Sequence, residues 1–257
     1  MSWLEAFLAG FVVATVTTPA GVSGAVLLLP VQVSLLGIPS PSVTPTNLLY
    51  NLFATPSGVL RYRRRGGLDH ELAARLVCGT VPGVVAGAII RVEWLAGERG
   101  FLLVVALVLI PLGALLVVRE APHAATPVLA SRWLAPTAFA VGVVGGIYGI
   151  GGGSILAPLL LLAGYSARRV APAALVSTMA ASIVGVAAFW LLSFTSPEGA
   201  AAPDWSTGIA AGIGGAFGAY LGAGLQPRIP EAALRRLLGI IVIVIGLRYA
   251  YLSITGR

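Results

Sequence analysis

Apolar stretches of about 20 residues, the length that spans a bilayer, follow one another from end to end of this chain. Two of them are broken at equivalent places by a glycine cluster. The first break is GVSGAVLLLP at 21–30 and the second is GIGGGSILAP at 149–158. Glycine and proline both interrupt helices. Inside a bilayer the backbone groups freed by such a break must be satisfied by protein or by a water-filled cavity. One break per half is the pattern of a transporter whose substrate site lies between internal repeats. The expectation is therefore an all-α membrane protein that moves a small anion.

Composition narrows the class. Hydrophobic residues make up 58% of the chain and charged residues 10%, against about a quarter charged in soluble domains. No hydrophilic stretch is long enough for a second domain, so residues 1–257 read as a single integral membrane domain with the lipid bilayer as its surroundings. The net charge of +7 comes from sixteen arginines and no lysine. They sit in short gaps between apolar runs, which argues for positive-inside topology and against nucleic-acid binding. The lone Cys78 gives no disulfide or redox motif. The first apolar run carries Glu5 and no basic leader, so it does not read as a cleaved signal peptide.

The two halves match in order. The first comprises apolar segments at 3–19, 25–36, 46–60, 76–90 and 101–118; the second has them at 133–148, 154–164, 171–194, 207–225 and 237–252. A shift of 128 residues lays Gly21 and Pro30 on Gly149 and Pro158. A shift of 127 lays Pro45, Asn51, Thr55 and Gly58 on Pro172, Thr178, Ser182 and Gly185. Gly83 and Gly87 match Gly214 and Gly218. Repeat one is thus 1–120 and repeat two 131–257. The loop after the second span of half one carries Arg61, Arg63, Arg64 and Arg65, whereas its counterpart carries Glu198 and Asp204. Opposite charge at equivalent loops predicts opposite sides of the membrane, hence two inverted repeats. Arginines at 119–132 and 168–169 flank the second break, which predicts a helical hairpin entering and leaving on one side. Each repeat would then be a broken-helix hairpin plus three transmembrane helices. A single bent helix is the alternative, and it would make the repeats parallel.

A helix that starts inside the membrane presents unpaired N–H groups and the positive end of its dipole, an anion site without a charged side chain. Gly21, Ser23 and Gly24 form one such start; Gly149, Gly151, Gly152, Gly153 and Ser154 form the other. Ser23 and Ser154 are placed to cap the helix or to donate to an oxyanion. Thr44, Asn47, Asn51 and Thr55 recur at three- and four-residue spacing, with Ser177, Thr178 and Ser182 at the matching place in half two. Of these, Asn47, Asn51, Ser177 and Thr178 are the candidate side-chain donors, and Gln32 and Tyr148 are further candidates. Gly83, Gly87, Gly214, Gly218 and Gly222 read instead as close helix packing. No acidic residue lies mid-span, so no carboxylate is available to carry a coupling proton. His70 and His123 fall in connectors, and no catalytic, metal or cofactor set is indicated. A cation or metal-ion permease or channel would need acidic rings, histidines or a carbonyl-lined filter, and only the last is open to this chain. Residues 21–24 also match the GxSG signature of intramembrane serine proteases, but no base accompanies Ser23, and Gly151 replaces it in the second half.

At these motifs the chain resembles the TauE/SafE family of membrane proteins, sulfite and organosulfonate exporters. The resemblance rests on the two glycine clusters with their prolines, on TPSGVLRYRRRGGLD at 55–69 and on VAPAALVSTMAASIVGV at 170–186, and it covers essentially the whole chain. It implies a duplicated helical transporter in the bacterial inner membrane exporting sulfite, sulfoacetate or a related sulfur oxyanion. Which anion is moved, what drives it and the oligomeric state are not set by the sequence.

Overall fold

The computed structural model describes residues 3–34, 37–39, 41–65, 67–95, 98–118, 131–195 and 201–255. The polar midpoint at 119–130, with His123, and the acidic Glu198 lie outside the described residues. Ten α-helices form among the described residues, and no strand. In the first half they are α1 (Trp3–Thr17), α2 (Ala25–Ser34), α3 (Val43–Arg64), α4 (His70–Glu93) and α5 (Glu98–Val118). In the second they are α6 (Leu134–Tyr148), α7 (Gly153–Leu162), α8 (Ala167–Ser193), α9 (Trp205–Leu225) and α10 (Glu231–Thr255). Each half therefore has one ten-residue helix in second place among longer ones.

Local chemistry explains the boundaries. Asp69 caps α4 by accepting from the Leu72 amide, and Asp204 caps α9 by accepting from the Thr207 amide. Gly21 (φ 74°) closes the 3₁₀ turn Thr18–Ala20 after α1, and Gly149 (φ 81°) ends α6, both left-handed positions that favour glycine. Pro30 sits inside α2 and frees the carbonyl four residues back, Val26, which accepts a 2.9 Å bond from the Tyr148 hydroxyl instead.

Side chains are distributed as a bilayer requires. Trp3, Leu107, Phe217 and Ile254 face outward, whereas Gln32, Asn47, Asn51, Thr80 and Ser177 are wholly buried. The spans 3–20, 70–93, 168–193 and 205–228 are long and apolar enough to cross a membrane.

Small residues let helices meet backbone to backbone. Along α4, Gly79, Gly83 and Gly87 meet Ala138, Gly142 and Gly146 of α6 in the same order, so those helices run parallel. Along α9, Gly214, Gly218 and Gly222 meet Phe7, Phe11 and Thr15 of α1, again parallel. Gly208 and Gly212 meet Leu49 and Phe53, and Arg61 reaches Tyr220, so α3 also runs with α9. Likewise α4 meets α8 through Thr80 to Ser177 and Val84 to Gly185. Between α3 and α8 the order reverses, with Leu48 at Gly185 and Gly58 at Leu175. Helices α1, α3 and α9 thus point one way, and α6, α8 and α4 the other. Asn47 holds the start of α2 by donating to the Ala25 carbonyl at 2.9 Å. Helices α5 and α10 form an antiparallel pair, Gly113 at Gly239 and Ile110 at Gly246.

Contacts at one end gather the arginines: Arg169 pairs with Asp69 at 2.6 Å, Arg75 bonds Ser131, and Arg65 reaches the Ala223 carbonyl. Asp204 lies at the other end, where its amide meets Thr46. Helix α4 departs from expectation at both ends: His70, read as a connector residue, opens it, and it runs on to Glu93. Arg91, assigned by the sequence to a connector, is in the last turn of α4 and is fully buried. Its guanidinium turns inward, bonding Thr44 Oγ1 at 3.2 Å and the Leu95 carbonyl.

Candidate functional site

The two breaks meet. The Ser23 amide donates to Ser154 Oγ at 3.0 Å, and the Ser154 hydroxyl donates to Ser23 Oγ at 3.1 Å. Ser23 Oγ in turn accepts from the Ala25 amide at 3.3 Å, capping α2. Both serine side chains are therefore occupied in tying the start of α2 to the start of α7.

Those starts are unequally satisfied. At α7 the Ile155 and Leu156 amides turn back to the Gly152 carbonyl. The amides of Gly151, Gly152, Gly153 and Ser154 meet no acceptor among the described residues. At α2 only the Gly24 amide is left so. Glycine is needed here for two reasons. Gly151 and Gly152 have φ of 70° and 79°, and a Cβ on Gly153 would strike the Ala174 carbonyl and the Thr178 hydroxyl.

Polar side chains line the same place. Thr178 and Ser182 of α8 are buried against Gly151 and Gly153, and neither hydroxyl has a partner. On α3, Asn51 is fully buried with both amide atoms unpartnered. Asn47 Nδ2 bonds the Ala25 carbonyl at 2.9 Å, leaving its Oδ1 free, and the Tyr50 hydroxyl lies unpaired against Gly24. The antiparallel register of α3 and α8 brings Asn51 and Thr55 level with Ser182 and Thr178. Buried polar atoms are paired in more than about 90% of cases, and each orphan costs about 1–3 kcal/mol. This cluster of orphans at two helix starts is the candidate site.

The remaining candidates, Gln32 apart, have structural partners. Gly21 packs on Ala171 and Gly149 on Thr44, each with no space for a Cβ. Ser177 shares a 2.7 Å bond with Thr80, which bonds Leu76 as well. Gln32 is buried on α2 with its amide unpartnered. The glycines at 83, 87, 214, 218 and 222 are the helix-packing surfaces described above. Tyr50, Thr80 and Arg91 escaped sequence reasoning. Tyr50 was signalled only by being the repeat partner of Ser177, at a shift of 127.

The electrostatics favour negative charge. Each helix start carries about half a positive charge, while the Thr178 and Ala174 carbonyls lie against Gly151 and Gly153. Among the described residues no three of His, Cys, Asp and Glu come together to hold a metal. The hydrogen bonds of Ser23 go to Ser154 and the Ala25 amide, not to a base.

The family model described as "Sulfite exporter TauE/SafE" matches residues 6–249. The "Probable membrane transporter protein YunE" of Bacillus subtilis (strain 168) is 24% identical over 276 aligned residues, covering 98% of each chain. No solved structure matches.

Proposed function

The chain belongs to the sulfite exporter TauE/SafE family of multi-pass membrane transporters, and on that premise we propose that it exports a small sulfur oxyanion. Sulfite, sulfoacetate or a related sulfonate would be held between the α2 and α7 starts. The observation that carries this reading is the group of unpaired amides at 151–154 beside the unpaired Asn51, Thr178 and Ser182 side chains. Sulfur oxyanions present several acceptor oxygens in a compact pyramid or tetrahedron, which suits donors converging from two helix starts and two flanking helices. The donors belong to the protein backbone and to neutral side chains, so the anion is held without a fixed counter-ion and can be released.

Residues 1–120 and 131–257 act as inverted repeats in this reading. Its support is directional: α1, α3 and α4 each run opposite to α6, α8 and α9, their counterparts. The end rich in arginine faces the cytoplasm of a bacterial cell by the positive-inside rule. Transport is alternating access, one repeat rocking on the other around the joined serines. The Asp69–Arg169 pair ties the repeats at the arginine-rich end and breaks when that end opens.

Calorimetry on the purified chain in detergent, titrated with sulfite, sulfoacetate, thiosulfate, sulfate and taurine, tests the reading. Saturable heat with at least one sulfur oxyanion is the expected result. Silence for every anion together with binding of a divalent metal overturns it in favour of a cation permease.

A further inference from the structure

On their outer faces α3 and α9 each carry an apolar stripe that ends in an arginine. Along α3, Phe53, Leu60 and Arg64 are exposed and recur at seven- and four-residue spacing, so they share a face. Along α9, Phe217, Leu221 and Leu225 recur every fourth residue, and the exposed Arg228 follows in the turn Gln226–Arg228. Between the stripes Arg61 Nη1 donates to the Tyr220 hydroxyl at 2.7 Å, and the guanidinium lies over that ring, 4.6 Å from its centre. Arg64 lies close enough to act on the same hydroxyl. Arg61 Nε is buried and meets no acceptor. The carboxylates paired at this end, Asp69 and Glu71, belong to Arg169 and Arg75; among the described residues no ion pair includes Arg61, Arg64 or Arg228. Two guanidiniums that share one neutral phenol keep most of their N–H donors for another acceptor.

We propose that this corner binds the headgroup phosphate of an anionic phospholipid, in the leaflet at the arginine-rich end. Arg61 and Arg64 present forked donors to the phosphate oxygens. The acyl chains lie along Leu60, Leu221 and Leu225, which are exposed directly beside those arginines. That apolar stripe favours a lipid over free phosphate, which has nothing to lay on it. Charge favours an anionic headgroup, because a zwitterionic lipid brings its own ammonium to a corner that is already positive. Helix α3 comes from the first half of the chain and α9 from the second, so a seated headgroup also clamps the two halves at this end. The lipid site is independent of which solute is carried.

The test is native mass spectrometry of the full chain in detergent, titrated with phosphatidylglycerol and with phosphatidylcholine of the same acyl chains. Phosphatidylglycerol binds about 25-fold tighter, two arginines contributing about fivefold each, and an equal concentration of inorganic phosphate leaves its adduct in place. Replacing both Arg61 and Arg64 by glutamine brings the two lipids to the same affinity. Arg64→Gln alone, at an exposed position, lowers the preference about fivefold, which keeps the test decisive if loss of Arg61 disturbs its packing on Tyr220. Arg168→Gln, exposed at the same end but on α8, leaves the preference unchanged. Equal affinity for the two lipids in the parent overturns the proposal, as does an equal loss in Arg168→Gln and Arg64→Gln, the mark of diffuse surface charge. Displacement of the lipid by equimolar inorganic phosphate overturns a lipid as the occupant.

Discussion

Replacing Asn51 by leucine pulls stability and binding in opposite directions. The Asn51 amide is fully buried and meets no partner at Nδ2 or Oδ1. In the empty protein this orphaned group costs about 1–3 kcal/mol. Asn51→Leu removes it with a side chain of similar shape, so the variant should be more stable without ligand. For a chain of this size that corresponds to a rise of about 2–6 °C in Tm. On the proposed reading the same amide donates to the anion in the bound state, where a hydrogen bond to a charged group contributes about 1.5–3 kcal/mol. Its loss should weaken sulfite about 10- to 150-fold. Thermal unfolding of purified protein, followed by tryptophan fluorescence with and without sulfite, measures both quantities in one preparation. A variant that melts lower and binds sulfite like the parent would show Asn51 to be structural and would refute the reasoning. Thr178→Val, which exchanges an unpaired hydroxyl for a methyl, should repeat the pattern with smaller amplitude.

Three further substitutions probe the surroundings. Gly153→Ala drives a Cβ into the Ala174 carbonyl and the Thr178 hydroxyl; it should cost about 1–3 kcal/mol and abolish sulfite flux in proteoliposomes. Ser154→Ala removes the acceptor of the Ser23 amide and the link between the breaks, so Tm should fall by the equivalent of about 1–2 kcal/mol. Asp69 is held below its ordinary value of about 3.8 chiefly by the Leu72 amide, with Arg169 contributing. A depressed carboxylate stabilises the fold above its unfolded pKa, and that stability is lost as pH falls through the folded one. Asp69→Asn should therefore lower Tm at pH 7, with the gap to the parent closing only below about pH 4.

Sequence alone carried the glycine breaks and the all-helical membrane class, because those features rest on residues with unmistakable backbone chemistry and on apolar runs of spanning length. Gly21, Gly149 and Gly151 announce left-handed turns, and each has a positive φ. Partner choice was less legible. Apolar side chains face lipid on one side and neighbouring helices on the other, so hydrophobic periodicity cannot say which face is which. Ser23 and Ser154 each looked free to meet a ligand, yet they hold each other, since only the crossing of the halves brings residues 131 apart together. Ser177 was a candidate donor for the same reason, and Thr80 of α4 takes it. Arg91 misled in another way. A charge at the end of an apolar run reads as a loop until Thr44, far off in sequence, offers it a buried partner.

The central claim is that the amides at 151–154 face a bound oxyanion, and selenite, the heavier analogue of sulfite, makes that directly visible. Anomalous diffraction from selenite-soaked crystals should give a selenium peak within hydrogen-bonding reach of those amides and of the Asn51 and Thr178 side chains. A peak elsewhere in the protein, with the space between the α2 and α7 starts empty, would contradict the account.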